Sequence, residues 1–457
     1  MASSTIRLAT ASPATRATTK ETLADLERFA DRAAAEKADI LLLPEAYIGG
    51  YPRGTHFGCV IGSRSQEGRE EYLRYFQQAV DLGDTVGDGA GAGDAWVKRE
   101  LPSDVLSGVD GETKITNKRG DGTREELERI ARKTGLFIVT GLIEKTGGSL
   151  YCSVVYVCPK LGVIGKRRKV MPTGTERLVW AQGSPATLRA VSTTIRGVRI
   201  NMAAAICWEN YMPLVRQALY AQNINLYLAP TADGRDAWLS LLRTAAIEGR
   251  CFVISSNMCV RNSPASASAS ATADGHYTSA LHDDDDTATS ATDGDGPDPD
   301  PLSSPSHTRR RSSCVTEEGF EIALPSKPAH PAPPPAPRRR QSIFDEDGNE
   351  IVLCAAPGSK RKPALQPTTP PTTTTTTTTA ASKPAEFSSR GGSAVVSPFG
   401  DVLAGPQWED DEGIIYADVD FNDCIRGRLD LDTAGSYSRN DSFKFSVEGL
   451  ELRPLPY

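Results

Sequence analysis

Residues 200–210 read INMAAAICWEN, and this stretch predicts a buried strand that leads into a cysteine. The run 202–208 is small or apolar apart from Cys207, as in a strand that is covered on both faces. The following segment, 211–222, has apolar residues at helical spacing, and Pro213 falls in its first turn, where a missing N–H is harmless. A thiol at a strand-to-helix junction lies near the positive end of a helix dipole, which favours the thiolate. Cys207 is therefore a candidate nucleophile, with an inert core cysteine as the alternative.

The composition is that of a mildly acidic protein without a membrane or nucleic-acid signature. The 457 residues are 39% hydrophobic and carry a net charge of −7, so a basic surface for nucleic acid is not expected. The longest apolar runs are far too short to span a bilayer. Nine scattered cysteines without a CxxC pair favour reduced thiols in a cytoplasmic protein over a disulfide framework or a zinc site. We interpret residues 6–9 as a first strand and not as part of a targeting segment.

Strands and helices alternate through the first 260 residues. Periodicity predicts helices at 19–35, 67–81, 123–134 and 237–249, and strands at 6–10, 39–44, 137–141, 225–230 and 251–255. A proline at 159 and a glycine at 162 predict the turn of a hairpin with strands at 150–157 and 162–170. Alternation of this kind indicates an α/β layered fold with reactive groups at the strand ends.

A stretch of low complexity interrupts this pattern at residues 261–392. Its serine–alanine, acidic, proline-rich and polythreonine runs cannot bury a core, which predicts a disordered insertion. The insertion separates a first part of the folded domain, 1–260, from its end and a C-terminal assembly tail, 393–457. Two similar segments each place an arginine triplet before serine, so candidate phosphorylation sites are Ser312, Ser313 and Ser342. A duplicated surface hairpin is the simpler interpretation, and we favour it.

A nucleophilic cysteine needs a base, and histidine, the usual partner, is scarce in this chain. Four of the five histidines lie in the low-complexity stretch, which leaves only His56. Glu45 is the other candidate, because it follows the apolar run 39–44 at a strand end, where burial raises the pKa of a carboxyl group. Four consecutive cations, 166–169, precede a turn. They form a solvated or ion-paired strip, or one of them reaches a cleft and stabilises developing negative charge.

Three blocks of the sequence resemble the signature blocks of the nitrilase branch of the carbon–nitrogen hydrolase superfamily. They are LLLPEAYIGGYPRG, GKRRKVMPTGTERLVW and AAAICWENYMPLVRQALY, and they occur in the family's order. The resemblance continues through residues 225–257 and 391–413, in the form found in fungal aromatic and arylaceto-nitrilases. It covers nearly all of the chain outside the insertion. Thr244 and Ser436 stand where many relatives have histidine.

The resemblance implies a four-layer α-β-β-α sandwich of the nitrilase type and assigns roles to four residues. Cys207 is implied as the nucleophile, Glu45 as the general base, Lys169 as the electrostatic stabiliser and Glu176 as a second carboxylate. No cofactor and no metal are implied. The side chains that we expect around the substrate are Tyr47, Tyr51, His56, Trp208 and Glu209. Members of the family assemble into dimers that extend into spirals or filaments, so a homo-oligomer is expected.

The implied activity is hydrolysis of a nitrile, aromatic or arylaliphatic, to the carboxylic acid and ammonia. The reaction runs through a cysteine thioimidate and a thioester, and some amide is expected as a by-product. Two alternatives stay open. Aliphatic amidases and cyanide hydratases of the superfamily use the same three residues, whereas a filament-forming scaffold has no need of them. The expected partner is thus a small-molecule nitrile, and neither nucleic acid nor a membrane is expected.

Overall fold

The computed structural model describes residues 5–84, 96–97, 120–262 and 387–457, together with four short strands between 313 and 353. The chain divides into two units, Met1–Gly275 with Ser382–Tyr457, and His276–Ala381. The predicted disorder of 261–392 falls, apart from the ends of that stretch and the four strands, outside the described residues. None of the described helices is long and apolar enough to cross a membrane.

Six strands form the first sheet of the larger unit, and a small hairpin lies outside it. The hairpin pairs β3 (Cys59–Val60) with β4 (Ser63–Arg64). The strands of the sheet are β1 (Thr5–Ala11), β2 (Ile40–Leu42), β5 (Phe137–Thr146), β6 (Ser149–Cys158), β7 (Gly162–Arg168) and β19 (Ile414–Asp420). Their order is β19, β1, β2, β5, β6, β7, with β1, β2 and β5 parallel to one another.

Seven strands form the second sheet. They are β8 (Val191–Ile195), β9 (Val198–Ala204), β10 (Leu226–Thr231), β11 (Phe252–Asn257), β12 (Cys259–Arg261), β17 (Phe387–Val396) and β18 (Val402–Trp408). Their order is β12, β17, β11, β10, β9, β8, and β18 pairs with β17. The strands β9, β10 and β11 are parallel, so their carboxyl ends meet at one edge of the sheet.

Helices cover the outer face of each sheet, which makes this unit a four-layer α-β-β-α sandwich, as predicted. The helices are α1 (Thr19–Ala35), α2 (Gln66–Gln78), α3 (Thr123–Thr134), α4 (Pro213–Tyr220), α5 (Ala237–Gly249) and α6 (Asn422–Gly427). Phe29 of α1 and Ile130 of α3 pack on the first sheet, and Leu219 of α4 and Leu242 of α5 pack on the second. A third apolar core fills the space between the two sheets.

Local chemistry sets the helix ends, and α1, α3 and α5 have the bounds that the sequence predicts. The hydroxyl of Thr18 accepts from the N–H of Glu21, whose carboxylate accepts from the N–H of Thr18, so the first turn of α1 is capped. The helix predicted at 211–222 is shorter, because residues 207–211 form a 3-10 turn and α4 begins only at Pro213. Cys207 therefore opens a 3-10 turn instead of an α-helix.

The duplicated hairpin predicted for the low-complexity stretch is confirmed. One hairpin pairs β13 (Ser313–Val315) with β14 (Glu321–Ala323), and the other pairs β15 (Gln341–Phe344) with β16 (Glu350–Leu353). Both pairs are antiparallel, as the repeated turn sequence implies.

The larger unit resumes earlier than the predicted residue 393. β17 begins at Phe387, because residues 387–390 pair antiparallel with β12 before the strand continues beside β11. Gly391 and Gly392 have φ values of 82° and 114° at the passage between the two partners, a conformation that favours glycine. The serine- and glycine-rich sequence has no strand periodicity there, so only the pairing partner reveals the strand.

The C-terminal tail, 436–457, docks on the second helical layer. Its apolar side chains that pack against the core beneath α4 and α5 are Phe445, Val447, Leu450, Leu452 and Leu455. The N–H of Leu455 donates to the carbonyl oxygen of Gln222 at 3.0 Å. The apolar character of the tail thus reflects contacts with its own chain.

Candidate active site

Three of the residues singled out in the sequence follow the ends of strands that meet inside the sandwich. Glu45 comes after β2, Lys169 after β7 and Cys207 after β9. The N–H of Lys169 donates to the carbonyl oxygen of Cys152 in β6 at 2.7 Å, so the residue continues the sheet edge after β7 ends. Gly141 of β5 lies directly against Glu45, because a Cβ at that position would stand 2.7 Å from the Cα of Glu45. The strands therefore fix the backbone of the site.

The ammonium group of Lys169 lies between two carboxylates. Its Nζ is 2.7 Å from Oε1 of Glu45 and 2.8 Å from Oε2 of Glu176. Both Lys169 and Glu45 are fully buried, and the Trp180 ring lies 5.5 Å from the Nζ, within the range of a cation–π contact. The same Oε2 of Glu176 also accepts from the N–H of Thr173 at 2.7 Å, which fixes the carboxylate. The three charged groups thus form one buried network.

Cys207 lies beside this network in a constrained conformation. It is 3% exposed and has a φ of 53°, a value that non-glycine residues seldom adopt. Its sulfur and one carboxylate oxygen from each of Glu45 and Glu176 lie within 4.8 Å of one another. The Nδ2 of Asn210 donates to the carbonyl oxygens of Cys207 and Ala205, which fixes the turn. The backbone strain is therefore held by contacts that point the thiol at the carboxylates.

Burial dominates the proton affinities of the site. It raises the pKa of Glu45, and although the charge of Lys169 opposes this shift, the charge of Glu176 adds to it. Burial also raises the pKa of Cys207, with a further rise from the charge of Glu45. For Lys169, burial would lower the pKa, but the negative groups around it raise it well above its usual value. The free site accordingly holds a neutral thiol, a carboxyl group with raised proton affinity and a permanent cation.

The prediction that a helix end favours the thiolate of Cys207 is therefore wrong. The first α-helix after the cysteine starts at Pro213, too far along the chain for its dipole to act on the sulfur, since the effect is limited to the first turn. The desolvation of the thiol is the larger effect and has the opposite sign. Ionisation of this thiol requires a base beside it.

The four consecutive cations are all buried, and each has acidic partners. Lys166 and Arg168 bind Glu144 on the helix side of the first sheet, at 2.5 and 2.7 Å. Arg167 and Lys169 point to the opposite side, because successive side chains of a strand alternate between its faces. The ion-paired strip is thus the correct interpretation for three cations, and the solvated face is wrong. Lys169 alone reaches the carboxylates beside Cys207.

Two pocket residues expected after the cysteine have other contacts. Both oxygens of Glu209 are engaged, one by Arg167 at 2.6 Å and the N–H of Val170, the other by the N–H of Ile206 at 2.7 Å. Glu209 therefore ties the cysteine turn to the end of β7 and does not line the pocket. Trp208 is 40% exposed, and its Nε1 donates to Asp233 at 3.0 Å. Its ring lies at the protein surface beside the nucleophile.

The three pocket residues expected after Glu45 lie in different places. Tyr51 belongs to the site, because its hydroxyl donates to Oε1 of Glu176 at 2.8 Å. Tyr47 does not lie beside the carboxylates, where we expected a pocket residue. It is fully buried on the helix side of the first sheet, and its hydroxyl donates to Asp25. His56 is exposed at the surface. Only Tyr51 therefore joins the network, and a turn with positive φ at Gly49 and Gly50 separates it from Tyr47.

Sequence reasoning missed a second thiol at the site. The Sγ of Cys152 lies 3.5 Å from Oε1 of Glu45 and is fully buried. The signal that could have found it is strand register, because Lys169 continues the strand that pairs with β6. The other cysteines in the described part of the chain are also free thiols, and they are Cys59, Cys158, Cys207, Cys251, Cys259 and Cys424.

Glu45, Glu176 and Cys207 are close enough together to hold a metal ion in principle. The ammonium group of Lys169 already bonds both carboxylates, so it supplies the positive charge that a metal would otherwise bring. The donor set therefore suits an internal cation better than a bound ion.

A four-layer α-β-β-α sandwich with a thiol, a carboxylate and an ammonium group at its strand ends indicates the class of thiol hydrolases. The family model for carbon–nitrogen hydrolases matches residues 5–293. An arylacetonitrilase of Trametes versicolor is 30% identical over 436 residues, which cover 93% of this chain and 91% of that protein. Nitrilase 2 of Arabidopsis thaliana is 30% identical over 440 residues, covering 96% of this chain and 87% of that protein.

A solved amidase of the nitrilase superfamily, from Nesterenkonia AN1, superposes with a TM-score of 0.45 at 14% identity, covering 92% of this chain and 93% of that one. From the family model and the curated relatives, the chain belongs to the carbon–nitrogen hydrolase family and to its nitrilase branch. It is a hydrolase that acts on carbon–nitrogen bonds.

Proposed function

We propose that this protein is a nitrilase that converts a nitrile and two water molecules into a carboxylic acid and ammonia. The observation that carries the proposal is the buried contact between Lys169 and Glu45 beside the neutral thiol of Cys207. A thiol, a base and a fixed cation are the groups that addition to a carbon–nitrogen triple bond requires. The printed names of the relatives, arylacetonitrilase and nitrilase 2, support the same substrate class.

In the first step, Glu45 accepts the proton of the Cys207 thiol while the sulfur forms a bond to the nitrile carbon. One carbon–nitrogen π bond breaks, and its electron pair moves to the nitrogen. Lys169 stabilises that negative charge, which develops in a site without competing water. Proton transfer from Glu45 to the nitrogen then gives a neutral thioimidate and restores the carboxylate of Glu45.

In the second step, Glu45 removes a proton from a water molecule that adds to the thioimidate carbon. The imine nitrogen takes up this proton, so the tetrahedral intermediate carries a hydroxyl and an amino group. Glu45 then moves the hydroxyl proton to the amino nitrogen as the carbonyl forms and the carbon–nitrogen bond breaks, so ammonia leaves and a thioester to Cys207 remains. A second water molecule, activated in the same way, attacks the thioester and releases the acid and the free thiol. If the first tetrahedral intermediate expels the thiol instead of ammonia, an amide is released.

Glu176 acts in this scheme by holding Lys169. Its Oε2 accepts from the Lys169 Nζ, and its Oε1 accepts from the hydroxyl of Tyr51. Two carboxylates around one ammonium group keep the cation charged in a buried place, because they outweigh the cost of burial. The charge of Lys169 is therefore available before the substrate binds.

The substrate that we propose is an aromatic or arylaliphatic nitrile. A cavity of about 200 Å³ opens beside Glu176, and its lining combines the apolar and aromatic side chains of Tyr51, Phe57, Leu178 and Val179 with the polar side chains of Arg53, Thr55 and Thr175. Tyr51 packs edge-on against Trp180 at 5.6 Å between ring centroids, so its ring orientation is fixed. The aromatic part of this lining suits a flat aryl group, and the printed name of one relative, arylacetonitrilase, supports the same substrate class.

Product analysis by chromatography tests the proposal. Purified protein is incubated with phenylacetonitrile, benzonitrile, a short aliphatic nitrile, cyanide and the matching amides, with Cys207→Ala as the control. Acid and ammonia from an aromatic or arylaliphatic nitrile, lost in Cys207→Ala, are the expected result. Turnover of amides or cyanide alone would replace the proposal with an amidase or a cyanide hydratase. No turnover of any of these compounds would favour the scaffold alternative.

The catalytic role belongs, in this proposal, to the larger unit. A deletion of residues 263–386 preserves every described strand and helix of that unit and is expected to retain activity. We also propose a cytoplasmic homo-oligomer that extends to a spiral or filament. Large apolar side chains left exposed on the described surface support self-association, and they include Leu214, Tyr437 and Phe443. Light scattering after size-exclusion chromatography tests this, and a monomer at micromolar concentration would contradict it.

A further inference from the structure

Arg53 connects three separate parts of the site region, although it belongs to none of the motif positions with an implied role. It lies on the segment that follows Glu45, and its Nη2 donates to the carbonyl oxygen of Ala232 at 2.7 Å and to Oγ of Ser389 at 3.4 Å. Its guanidinium group also lies over the ring of Tyr51, 5.3 Å from the centroid. Arg53 therefore joins the segment after β2 to the turn after β10 and to the start of β17.

The turn after β10 lies against the nucleophile. Trp208, the residue after Cys207, donates from its Nε1 to Oδ2 of Asp233 at 3.0 Å. The backbone N–H of Ala232 points at the sulfur of Cys207, and this hydrogen bond favours the thiolate against the effect of burial. Asn257 holds the other side of the turn by donating from Nδ2 to the carbonyl oxygen of Asp233 at 2.7 Å. Residue 232 is thus a backbone donor to the reacting sulfur.

We infer that Arg53 is a positioning residue for Cys207, because it holds residue 232 by its carbonyl oxygen and thereby limits where the N–H of that residue can lie relative to the sulfur. Only the expected effect of Arg53 on turnover rests on the proposed nitrilase chemistry. The geometry itself concerns the free protein. A guanidinium group suits the task, since its planar fork can hold a carbonyl oxygen and a hydroxyl group together. A lysine has a single flexible ammonium group and holds the turn less firmly.

The test compares Arg53→Ala and Arg53→Lys with the wild-type chain and with Arg64→Ala. Arg64 is the matched control, because it lies on the same stretch and, among the described residues, its guanidinium group donates only to the nearby carbonyls of Val60 and Ser63. The first readout is the rate at which iodoacetamide alkylates Cys207 as a function of pH, followed by mass spectrometry of its peptide. The second readout is kcat and KM for phenylacetonitrile. Circular dichroism and the melting temperature report whether each variant is folded.

Arg53→Ala is expected to slow alkylation of Cys207 at neutral pH by about tenfold, the change that one pKa unit produces, and to move the midpoint to higher pH. The kcat should fall by about 10- to 100-fold because Cys207 is displaced, and the KM should rise by a smaller factor, because Arg53 also lines the cavity beside Glu176. The alkylation rate and kcat of Arg53→Lys should lie between those of the wild type and Arg53→Ala. Both values for Arg64→Ala should match those of the wild type.

An alkylation profile that Arg53→Ala leaves unchanged would overturn the inference. A raised KM with unchanged kcat would also overturn it, since Arg53 would then bind the substrate. If Arg53→Ala does not fold, the alkylation profile of Arg53→Lys decides by the same criterion. Because alkylation needs no nitrile, a wild-type chain that fails to hydrolyse nitriles would refute the proposed function and leave this comparison readable.

Discussion

The Nζ of Lys169 lies 2.7 Å from Oε1 of Glu45, and neither side chain is exposed to solvent. The other oxygen of Glu45, Oε2, is buried and accepts no hydrogen bond from the residues that the structure describes. A buried carboxylate oxygen without a donor is costly, and such groups are concentrated at functional sites. One oxygen of Glu45 is thus held by the cation, and the other is available to take a proton from Cys207 or from water.

The identity of the nucleophile gives the first prediction. Cys207→Ala is expected to lower nitrile hydrolysis by about a million-fold, to the detection limit, because it removes the thiol that attacks the nitrile carbon. Cys158→Ala is the matched control, since Cys158 is a buried thiol of the core between the sheets with no contact to the site. It should cost about 1 kcal/mol of stability and retain activity. Equal loss of activity in both variants would contradict the assignment.

The pH dependence of activity follows from the raised pKa of Glu45. The general base must be ionised to act, so kcat/KM should decline as the pH falls through that pKa. Since burial raises the pKa above the ordinary 4.5, the acid limb should lie above pH 4.5. A pH profile of kcat/KM in a buffer of constant ionic strength measures it. An acid limb at or below pH 4.5 would show that Glu45 does not control the reaction.

Glu144 gives a prediction about stability. Burial alone would raise its pKa, but the charges of Lys166 and Arg168 outweigh this effect and lower it to about 2. A carboxylate with a lowered pKa stabilises the fold above its unfolded pKa of about 4.5, and this contribution is lost as the pH falls toward 2. Glu144→Gln should cost about 3–5 kcal/mol at neutral pH, because it leaves two buried cations with fewer partners.

Urea denaturation at several pH values measures this effect. The difference between the wild type and Glu144→Gln should shrink as the pH falls from 4.5 to 2. Glu126→Gln is the comparison, because Glu126 forms an exposed ion pair with Arg129 and should contribute less than about 1 kcal/mol. If the difference in unfolding free energy between the wild type and Glu144→Gln grows as the pH falls, the ion pairs assigned to Glu144 are wrong.

Gly141 gives a prediction about the position of the base. A methyl group at this residue would stand 2.4 Å from the carbonyl oxygen of Pro44 and 2.7 Å from the Cα of Glu45. Gly141→Ala should therefore displace Glu45 and cost about 1–3 kcal/mol of stability through overpacking. Displacement by about 1 Å is enough to lower kcat by about 100-fold. Circular dichroism shows whether the variant is folded. If a folded variant keeps the wild-type kcat, the segment that carries Glu45 moves without loss of activity, and the prediction is wrong.

Much of the architecture can be predicted from local sequence. The bounds of α1, α3 and α5 follow from apolar periodicity, and α1 also has a capping box at Thr18. These effects act within one or two helical turns and need no tertiary partner. The paired hairpins of the low-complexity stretch follow from a repeated turn pattern. Glu45, Lys169 and Cys207 can also be singled out in advance as candidates, because each occurs in a block of characteristic sequence.

Only the tertiary structure determines which partners these residues contact and how deeply they are buried. Strand alternation and the stacking of the two sheets send Lys169 to Glu45 but turn Lys166 to Glu144. The turn at Gly49 and Gly50 leaves Tyr47 on the helix side while Tyr51 reaches Glu176. The same stacking buries Cys207, and burial raises its pKa where the local sequence indicated the reverse. Local sequence determines periodicity and turn chemistry, whereas burial and charge pairing depend on segments far apart in the chain. For that reason the environment of each reactive group could be known only from the folded protein.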